Sequence, residues 1–210
     1  MKERPILFSA LMVQAILEGR KTQTRRICKQ QPGERDGWKR VPKLLQTSKG
    51  LAVKFSSEFQ HGVASGGEIE DHNAAVWVKC PHGQPGDRLW VRETHGFCDE
   101  CGTLNFRATN GPAHCSGCDQ SLSKWKPSIF MFRENSRITL EVTEVRVQRL
   151  REISEMDAQA EGANPIDRPV AVDMPHRLGF CMLWDTINEK RGFGWDTNPW
   201  VWAITFKRIK

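Results

Sequence analysis

Three segments of the chain predict helices, two from apolar side chains at amphipathic spacing and one from the residues at its ends. The first runs from Ser9 to Glu18 and is followed by Gly19, a common helix stop. The second runs from Ser154 to Gly162, with Ser154 at the N-cap and Asp157 at the third helical position. The third runs from Pro175 to Glu189 and is the longest. We therefore predict three helices, of which the second is short.

Other segments alternate between apolar and polar residues, or are short apolar runs, and these predict strands. They are residues 22–27, 76–78, 88–93, 138–147 and 200–207. The alternation slips near Thr143 and Glu144, which predicts a β-bulge there. Many strands with few helices, and no βαβ rhythm, favour an α+β fold. We expect a small β-barrel with helices packed at its ends.

Two stretches interrupt this pattern within what we interpret as a single domain over residues 1–210. Residues 29–75 are rich in Lys, Gly, Ser and Gln and show little periodicity, so we predict a long loop insertion. Residues 95–122 contain four cysteines and form a second insertion. A chain of 210 residues is long enough for one domain with a substantial core and such insertions.

Charge is concentrated at one end of the chain. The formal net charge is +6, but residues 1–50 carry a balance of +8 and the rest a balance of −2. A basic segment on a nearly neutral body favours contact with a polyanion, nucleic acid first, and a solvated basic loop is the alternative. No stretch has the ~20 apolar residues of a membrane span, and residues 1–5 do not resemble a signal peptide. We therefore expect a cytoplasmic protein.

Cys98, Cys101, Cys115 and Cys118 form two CxxC pairs, which is the most specific chemical pattern in the sequence. Four thiolates at this spacing are typical of a tetrahedral zinc site. Two disulfides or four unrelated thiols are the alternatives, and a reducing cytosol makes disulfides less favourable. A site with four cysteine ligands has no open position for water. We therefore predict a structural Zn²⁺ in a zinc-knuckle insertion.

A basic motif follows the first predicted helix. It contains Lys, two Thr and three Arg directly after Gly19: Arg20, Lys21, Thr22, Thr24, Arg25 and Arg26. Guanidinium groups suit phosphates, and a desolvated Lys can act as a base. The alternative is a basic strand end on the surface.

This motif is one of four segments that together resemble the ASCH domain family. It reads Glu-Gly-Arg-Lys-Thr-x-Thr-Arg-Arg, and the others are Pro-Gly-Asp-Arg-Leu-Trp-Val-Arg-Glu at 85–93, Ser-Glu-x-Asp-Ala-x-Ala-Glu-Gly at 154–162 and Asn-Pro-Trp-Val-Trp at 198–202. The segments extend from the first predicted helix to the last predicted strand, and the two insertions lie outside the common core. The chain is most similar to the larger ASCH proteins carried by phages and prophages.

The resemblance implies a PUA-like β-barrel with a cleft for RNA or a nucleotide. Some small ASCH members hydrolyse the acetyl amide of 4-acetylcytidine with a Lys, a Thr and a Glu, which fall by motif on Lys21, Thr24 and Glu161. A Thr hydroxyl needs a base, and Lys21 suits this role if burial and neighbouring cations lower its pKa. Glu161 would orient Lys21 or shuttle a proton. In an ideal strand Lys21 and Thr24 lie on opposite faces, so they converge only if the turn after Gly19 bends the backbone or Lys21 reaches around it.

We expect the substrate to be contacted by Arg20, Thr22, Arg25, Arg26 and Trp125. Two functions compete: an amidohydrolase acting on an acylated base amine, and a non-catalytic RNA- or nucleotide-binding module. A phage assembly protein is a weaker third. Without the resemblance, Glu161 would be interpreted as an exposed residue near a helix C-terminus, and Lys21 with Thr24 as a phosphate site without turnover.

Overall fold

The fold is described from a computed structural model. It describes residues 1–31, 38–48, 50–59, 76–111, 114–118, 120–122, 124–166 and 174–210. No helix of this part of the chain is long and apolar enough to cross a membrane.

Strands outnumber helices in the described residues. The strands are β1 (Glu3–Leu7), β2 (Gln23–Ile27), β3 (Trp38–Thr47), β4 (Gly50–Phe59), β5 (Val76–Lys79), β6 (Arg88–Arg92), β7 (His95–Phe97), β8 (Leu104–Phe106), β9 (Thr139–Arg149) and β10 (Trp200–Arg208). The helices are α1 (Ala10–Leu17), α2 (Arg107–Asn110), α3 (Glu155–Ala160) and α4 (Pro175–Asn188). The three helices and five strands expected from periodicity are all present, with ends that differ by a few residues, and the α+β class is confirmed.

The principal sheet has the strand order β1-β6-β9-β10-β2. Strands β1 and β6 are parallel, and the other neighbours are antiparallel. Strands β1 and β2 are its two edges, so the described strands form an open sheet and not the closed barrel that we expected. Closure requires pairing between distant edge strands, and no local pattern in the sequence reports on that pairing.

Alternate residues of β10 face two separate cores. Trp202 and Ile204 belong to the larger core, which α1 covers. Val201 belongs to a smaller core made with α3 and α4, which also contains Phe180 and Trp184. The β2 residues opposite them share these faces, because cross-strand partners point to the same side of a sheet. Strand β2 therefore has one face toward each core.

The predicted bulge is confirmed in β9. Thr205 pairs with Glu144, and the next residue, Phe206, pairs with Val142, so Thr143 has no partner in the ladder. The extra residue restores the phase of the apolar positions on either side.

Helix α3 begins and ends as the sequence indicates. The Ser154 hydroxyl accepts a hydrogen bond from the Asp157 N–H at 3.1 Å, and Gly162 follows with a φ of +74°. The Glu155 carboxylate in turn accepts the N–H groups of His176 and Arg177 at 2.7 and 2.8 Å, at the start of α4. These bonds fix α3 to α4 and so determine where the end of α3 meets the sheet.

The prediction of a loop over residues 29–75 was wrong for a large part of that range. Strands β3 and β4 form a long antiparallel hairpin, and β5 extends it to a three-stranded sheet. Residues 32–37, 49 and 60–75 lie outside the described residues. The sequence did not predict the hairpin because it contains Pro42 and many polar residues, with Lys43 directly opposite Lys54.

The cysteine-containing segment has little secondary structure of its own. Strands β7 and β8 form a two-stranded sheet, followed by the single turn of α2. Its buried apolar cluster is small and consists of Cys98, Cys115 and Leu122, with Cys118 and Trp125 packed beside them.

Candidate functional site

Lys21 lies where the edge strand β2 meets the ends of α1 and α3. Gly19 turns the chain out of α1 with a φ of +77°, and the Lys21 N–H donates to the Ala15 carbonyl at 2.9 Å. The Thr22 N–H donates to the Ala160 carbonyl at 2.8 Å, and Lys21 forms an isolated β-bridge with Glu161. The end of α3 therefore covers the sheet edge at the motif.

The Lys21 and Glu161 side chains form a buried ion pair. Lys21 Nζ lies 2.8 Å from Glu161 Oε2 and donates a second hydrogen bond to the Glu161 main-chain oxygen at 2.7 Å. Each residue is only 3% exposed. Gly162 allows this approach, because a Cβ there would lie 3.0 Å from the Cβ atoms of both Ala15 and Lys21.

Arg25 bridges Glu161 to a second carboxylate. Its guanidinium donates to Glu161 Oε1 at 3.1 Å, to Asp157 Oδ2 at 2.9 Å and to the Gln23 side-chain oxygen at 2.5 Å. Arg146 reaches Asp157 Oδ1 at 3.3 Å from the neighbouring strand β9. Both Glu161 oxygens are thus bonded to cations, which holds the carboxylate in one orientation.

Burial lowers the pKa of Lys21 below its ordinary value, and the charges of Arg26 and Arg25 act in the same direction. The attraction and hydrogen bond of Glu161 oppose this shift without cancelling it. An ammonium group has three N–H donors, and the two bonds to Glu161 use two of them. The third position of Lys21 Nζ is left for another group.

Thr24 lies on the face of β2 toward the larger core. It pairs with Ile204 of that core and is 4% exposed. Lys21 Nζ lies 5.6 Å from the centre of the Phe8 ring, and the Arg26 guanidinium lies 5.1 Å from the same ring. Arg26 shares a strand face with Thr24, two residues away. The Lys21 ammonium therefore lies at the edge of the sheet beside Phe8, a ring that Arg26 also approaches from the Thr24 face. In the described residues no hydrogen bond joins Thr24 to Lys21 or Glu161.

The other motif residues differ in their surroundings. Arg26 donates to the Leu7 carbonyl at 2.6 Å, and burial lowers the pKa of its guanidinium. Arg20 is exposed and pairs with Glu18, and Thr22 is also exposed. Arg25, which we expected to contact a substrate, is occupied by the carboxylates of α3 and its end.

Sequence reasoning did not select Gln23, Arg146 or Asp157 as parts of this site. A signal for Asp157 was available. It precedes Glu161 by four residues, so the two carboxylates lie one above the other on a helix face. Arg146 could not have been found in this way, because it depends on the pairing of β9 with β10 and β2.

The four predicted cysteines form one cluster. Their sulfur atoms all lie within 4.8 Å of one another, and the Cys98–Cys118 and Cys101–Cys115 pairs are each 3.5 Å apart. All four are free thiols. Ligands at about 2.3 Å from a tetrahedral zinc ion are about 3.8 Å from one another, close to these separations. The cluster therefore fits a metal ion with four sulfur ligands.

Hydrogen bonds hold the ligand loop that contains Cys115. The Gly117 N–H and the Asn105 amide approach Cys115 Sγ at 3.3 and 3.5 Å. The buried Asn105 oxygen accepts the N–H and hydroxyl of Ser116 at 2.8 and 3.0 Å. A Cβ at Gly117 would lie 2.4 Å from Thr103 Oγ1, so only glycine fits. Asn105 is a further residue that sequence reasoning did not select.

The thiols differ in acidity. Burial raises the pKa of Cys115, but the donors from Gly117 and Asn105 outweigh it and lower the value to about 6. For Cys118, a backbone donor from Gln120 lowers the pKa, yet contacts with Cys101 and the other thiols raise it to about 12. Crowded sulfur atoms share protons unequally, whereas a bound cation would displace them all.

Trp125 lies apart from the Lys21 motif in the sequence and packs beside the cysteine cluster. It is half-buried and lines a surface groove with Arg92 and residues 126–127 and 129–132.

Comparison of the chain with protein-family models, curated proteins and solved structures found no match. Its function is therefore argued from the geometry of these two sites and from the sequence motifs.

Proposed function

We propose that this chain is an amidohydrolase that removes an acyl group from the exocyclic amine of a modified nucleobase, in the manner of 4-acetylcytidine hydrolysis. The observation that carries the proposal is the buried Lys21–Glu161 pair at 2.8 Å, beside the Phe8 ring that Arg26 approaches from the Thr24 face. The order of the four motif segments supports membership of the ASCH family and a PUA-like ancestry.

In the first step, Thr24 Oγ attacks the acyl carbonyl carbon while its proton passes to the neutral amine of Lys21. Lys21 suits this role because burial lowers its pKa, which favours the neutral amine more than in an exposed lysine. Glu161 stabilises the ammonium that forms. The hydrogen bond from Arg25 holds the Glu161 carboxylate in one orientation.

In the second step, the C–N bond to the base amine breaks and the amine takes the proton from Lys21. The acyl group remains on Thr24 as an ester. A water molecule, deprotonated by Lys21, then attacks the ester, which releases a carboxylic acid and restores the Thr24 hydroxyl. Arg26 is suited to hold the developing oxyanion or a nearby phosphate.

The cysteine cluster has a supporting role in this proposal. Four thiolates around a Zn²⁺ ion would leave no position for a reacting water, so the metal would stabilise the insertion. Such thiols remain available in a reducing compartment such as the cytoplasm. A phage or prophage origin follows from the resemblance alone.

The test is a hydrolysis screen of the purified protein against acylated nucleosides and nucleotides, with product separated by chromatography. We expect release of cytidine from 4-acetylcytidine, and no release by Lys21→Ala. Lys29→Ala, which removes an exposed lysine nearby, is the matched control and should keep full activity. Activity that survives Lys21→Ala would exclude Lys21 as the base.

The second candidate is an RNA- or nucleotide-binding module without turnover. It is favoured by the balance of +8 over residues 1–50, which suits a polyanion, while the 3 to 4% exposure of Lys21, Thr24 and Glu161 counts against turnover. Such burial restricts access to the reacting atoms. Salt-dependent nucleic-acid binding together with inactivity on every acylated substrate would select this candidate.

A further inference from the structure

A surface groove lies beside the cysteine cluster and away from the residues of the Lys21 site. Its volume is about 560 Å³. Its lining residues are Arg92, Trp125, Lys126, Pro127, Ile129, Phe130, Met131 and Phe132. The lining is predominantly apolar, and the groove is open to solvent.

Phe130 and Phe132 present their rings to solvent from a fixed backbone. They are 59% and 70% exposed, whereas Met131 between them is 1% exposed and anchors the segment in the interior. Arg92 donates to the Ile129 carbonyl at 3.2 Å and holds the preceding turn. Exposing two large aromatic side chains on an anchored segment is unfavourable unless they have a partner.

The other end of the groove is attached to the cysteine-containing segment. Lys126 and His95 exchange two backbone hydrogen bonds, of 2.7 and 3.2 Å. Gly96 lets the chain approach, because a Cβ there would lie 2.6 Å from the Lys124 carbonyl. Trp125 packs against the cluster that contains Cys98 and Cys115. Metal binding by the four cysteines would therefore fix this wall of the groove.

The charge of the groove is positive. Of the described residues that line it, Arg92 and Lys126 are basic and none is acidic. Lys124 adds a cation at the rim, 3.8 Å from the exposed Asp99 carboxylate. Exposed aromatic rings beside cations are the combination that binds single-stranded nucleic acids, in which bases stack on the rings and phosphates meet the cations.

We propose that this groove binds a single-stranded nucleic acid, with bases stacked on Phe130 and Phe132 and phosphates held by Arg92 and Lys126. A duplex is a poor occupant, because its base faces are covered by their neighbours. The binding proposed for the groove rests on the proposed amidohydrolase function in one respect only, namely which base would react. Binding is measured without turnover, so the two proposals fail independently.

The experiment is a fluorescence-anisotropy titration with a labelled oligouridylate of about twelve nucleotides, within the site sizes of such proteins. We expect Phe130→Ala/Phe132→Ala to weaken binding by at least about tenfold. Lys126→Ala should reduce the slope of log K against log salt concentration by about 0.7. A duplex of the same length should bind more weakly than the single strand.

Trp77→Ala provides a matched control. Trp77 is 50% exposed and has Lys54 5.9 Å from its ring, but it lies on β5 outside the groove. Its substitution should change the affinity by less than about twofold. Circular dichroism of each variant verifies that it is folded, and the exposure of Phe130 and Phe132 makes loss of the fold unexpected.

Equal affinity of the wild type and the double Phe variant would overturn the proposal, as would no affinity of the wild type for the oligonucleotide. A groove variant that changes only the monomer–dimer equilibrium in sedimentation would also overturn it and assign the groove to a protein partner. Turnover of free nucleosides without oligonucleotide binding would leave the amidohydrolase proposal intact. Binding that depends on the groove residues, without turnover, would support the groove proposal and contradict the amidohydrolase proposal.

Discussion

The charged side chains around Lys21 and the four thiols that include Cys115 are both compact clusters, but their surroundings differ. The ionic cluster lies between two hydrophobic cores that include most of the buried aromatic residues. The thiol cluster packs in a small apolar cluster whose buried residues, among those described, are Cys98, Cys115 and Leu122. The first is held in place by the fold around it. The second has too little apolar surface to hold itself and fits a metal ion that would do so.

The two clusters therefore stand in opposite relations to the fold around them. Desolvation by the surrounding core gives Lys21 its lowered pKa, so the chemistry proposed there depends on the fold. The thiol cluster would act in the opposite direction, because its metal would organise the chain around it.

Removing the metal should have the largest effect. Structural zinc sites contribute about 10 kcal/mol or more to local folding. After chelation, or in Cys115→Ser, we expect rapid amide exchange over residues 95–111 while β9 and β10 stay protected. Hydrogen exchange read by mass spectrometry measures this, and elemental analysis identifies the ion. Cys181→Ser, outside the cluster, is the control. Unchanged protection in the metal-free protein would contradict the assignment.

Breaking the ionic cluster at its centre should have the next largest effect. Glu161→Ala leaves Lys21 and Arg25 with fewer counter-charges in a buried site, and such changes cost about 3–5 kcal/mol. Urea unfolding measures the free energy of unfolding. Glu144→Ala removes an exposed carboxylate that pairs with Arg146 at 3.6 Å, and should cost less than about 1 kcal/mol. Similar losses for the two variants would show that burial does not set the energetics of the site.

Asp157→Asn should destabilise the protein by about 1–3 kcal/mol at neutral pH, because it removes a charged partner of Arg25. Burial raises the pKa of Asp157, but Arg25, Arg146 and Gln23 outweigh it and lower the pKa below 3.8. Its contribution is therefore present above pH 3.8 and is lost as the pH falls through the lowered pKa. The difference between the unfolding free energies of the two proteins should be constant above about pH 5 and should shrink as the pH falls below 3.8. A difference that persists at low pH would contradict this.

His82 is expected to have no effect at neutral pH and to lower the free energy of unfolding by about 2 kcal/mol at pH 5. Burial, together with Arg26 and Arg4, lowers its pKa to about 4 from 6.5. The unfolded chain binds the proton first, so stability is full above pH 6.5 and decreases as the pH falls toward 4. His82→Gln should flatten this part of the stability profile. An unchanged profile would mean that His82 is not held neutral beside Arg26.

Local patterns in the sequence predicted the helix and strands that build the site, but they did not predict the long-range contacts between them. Ser154 and Gly162 bounded α3 correctly, and the phase slip at Thr143 located the bulge, since both depend on near neighbours. The pairing of Lys21 with Glu161 spans most of the chain and followed only from the resemblance. The contact of Arg146 with Asp157 needs the strand order, which periodicity does not contain.

The β3–β4 hairpin is a local element that the sequence pattern nevertheless did not predict. Its strands carry Pro42 and facing lysines, so their composition resembles that of a loop although they pair along their whole length. The thiol cluster needed no fold information, because two CxxC pairs specify four ligands by spacing alone. Features set by residues close together in the sequence were predictable from it, whereas contacts that depend on distant strands were not.

The central claim is that the proposed hydrolysis is carried out at the Lys21 cluster, with the Thr24 hydroxyl as the nucleophile. Thr24→Val tests this most directly, because it replaces the hydroxyl with a methyl group at a position 4% exposed. The measurement is the rate of 4-acetylcytidine hydrolysis, with Thr143→Val, at an exposed threonine of strand β9, as the matched control. We predict that Thr24→Val is folded and has no measurable turnover, while Thr143→Val remains active. Turnover by Thr24→Val at the wild-type rate would contradict the account.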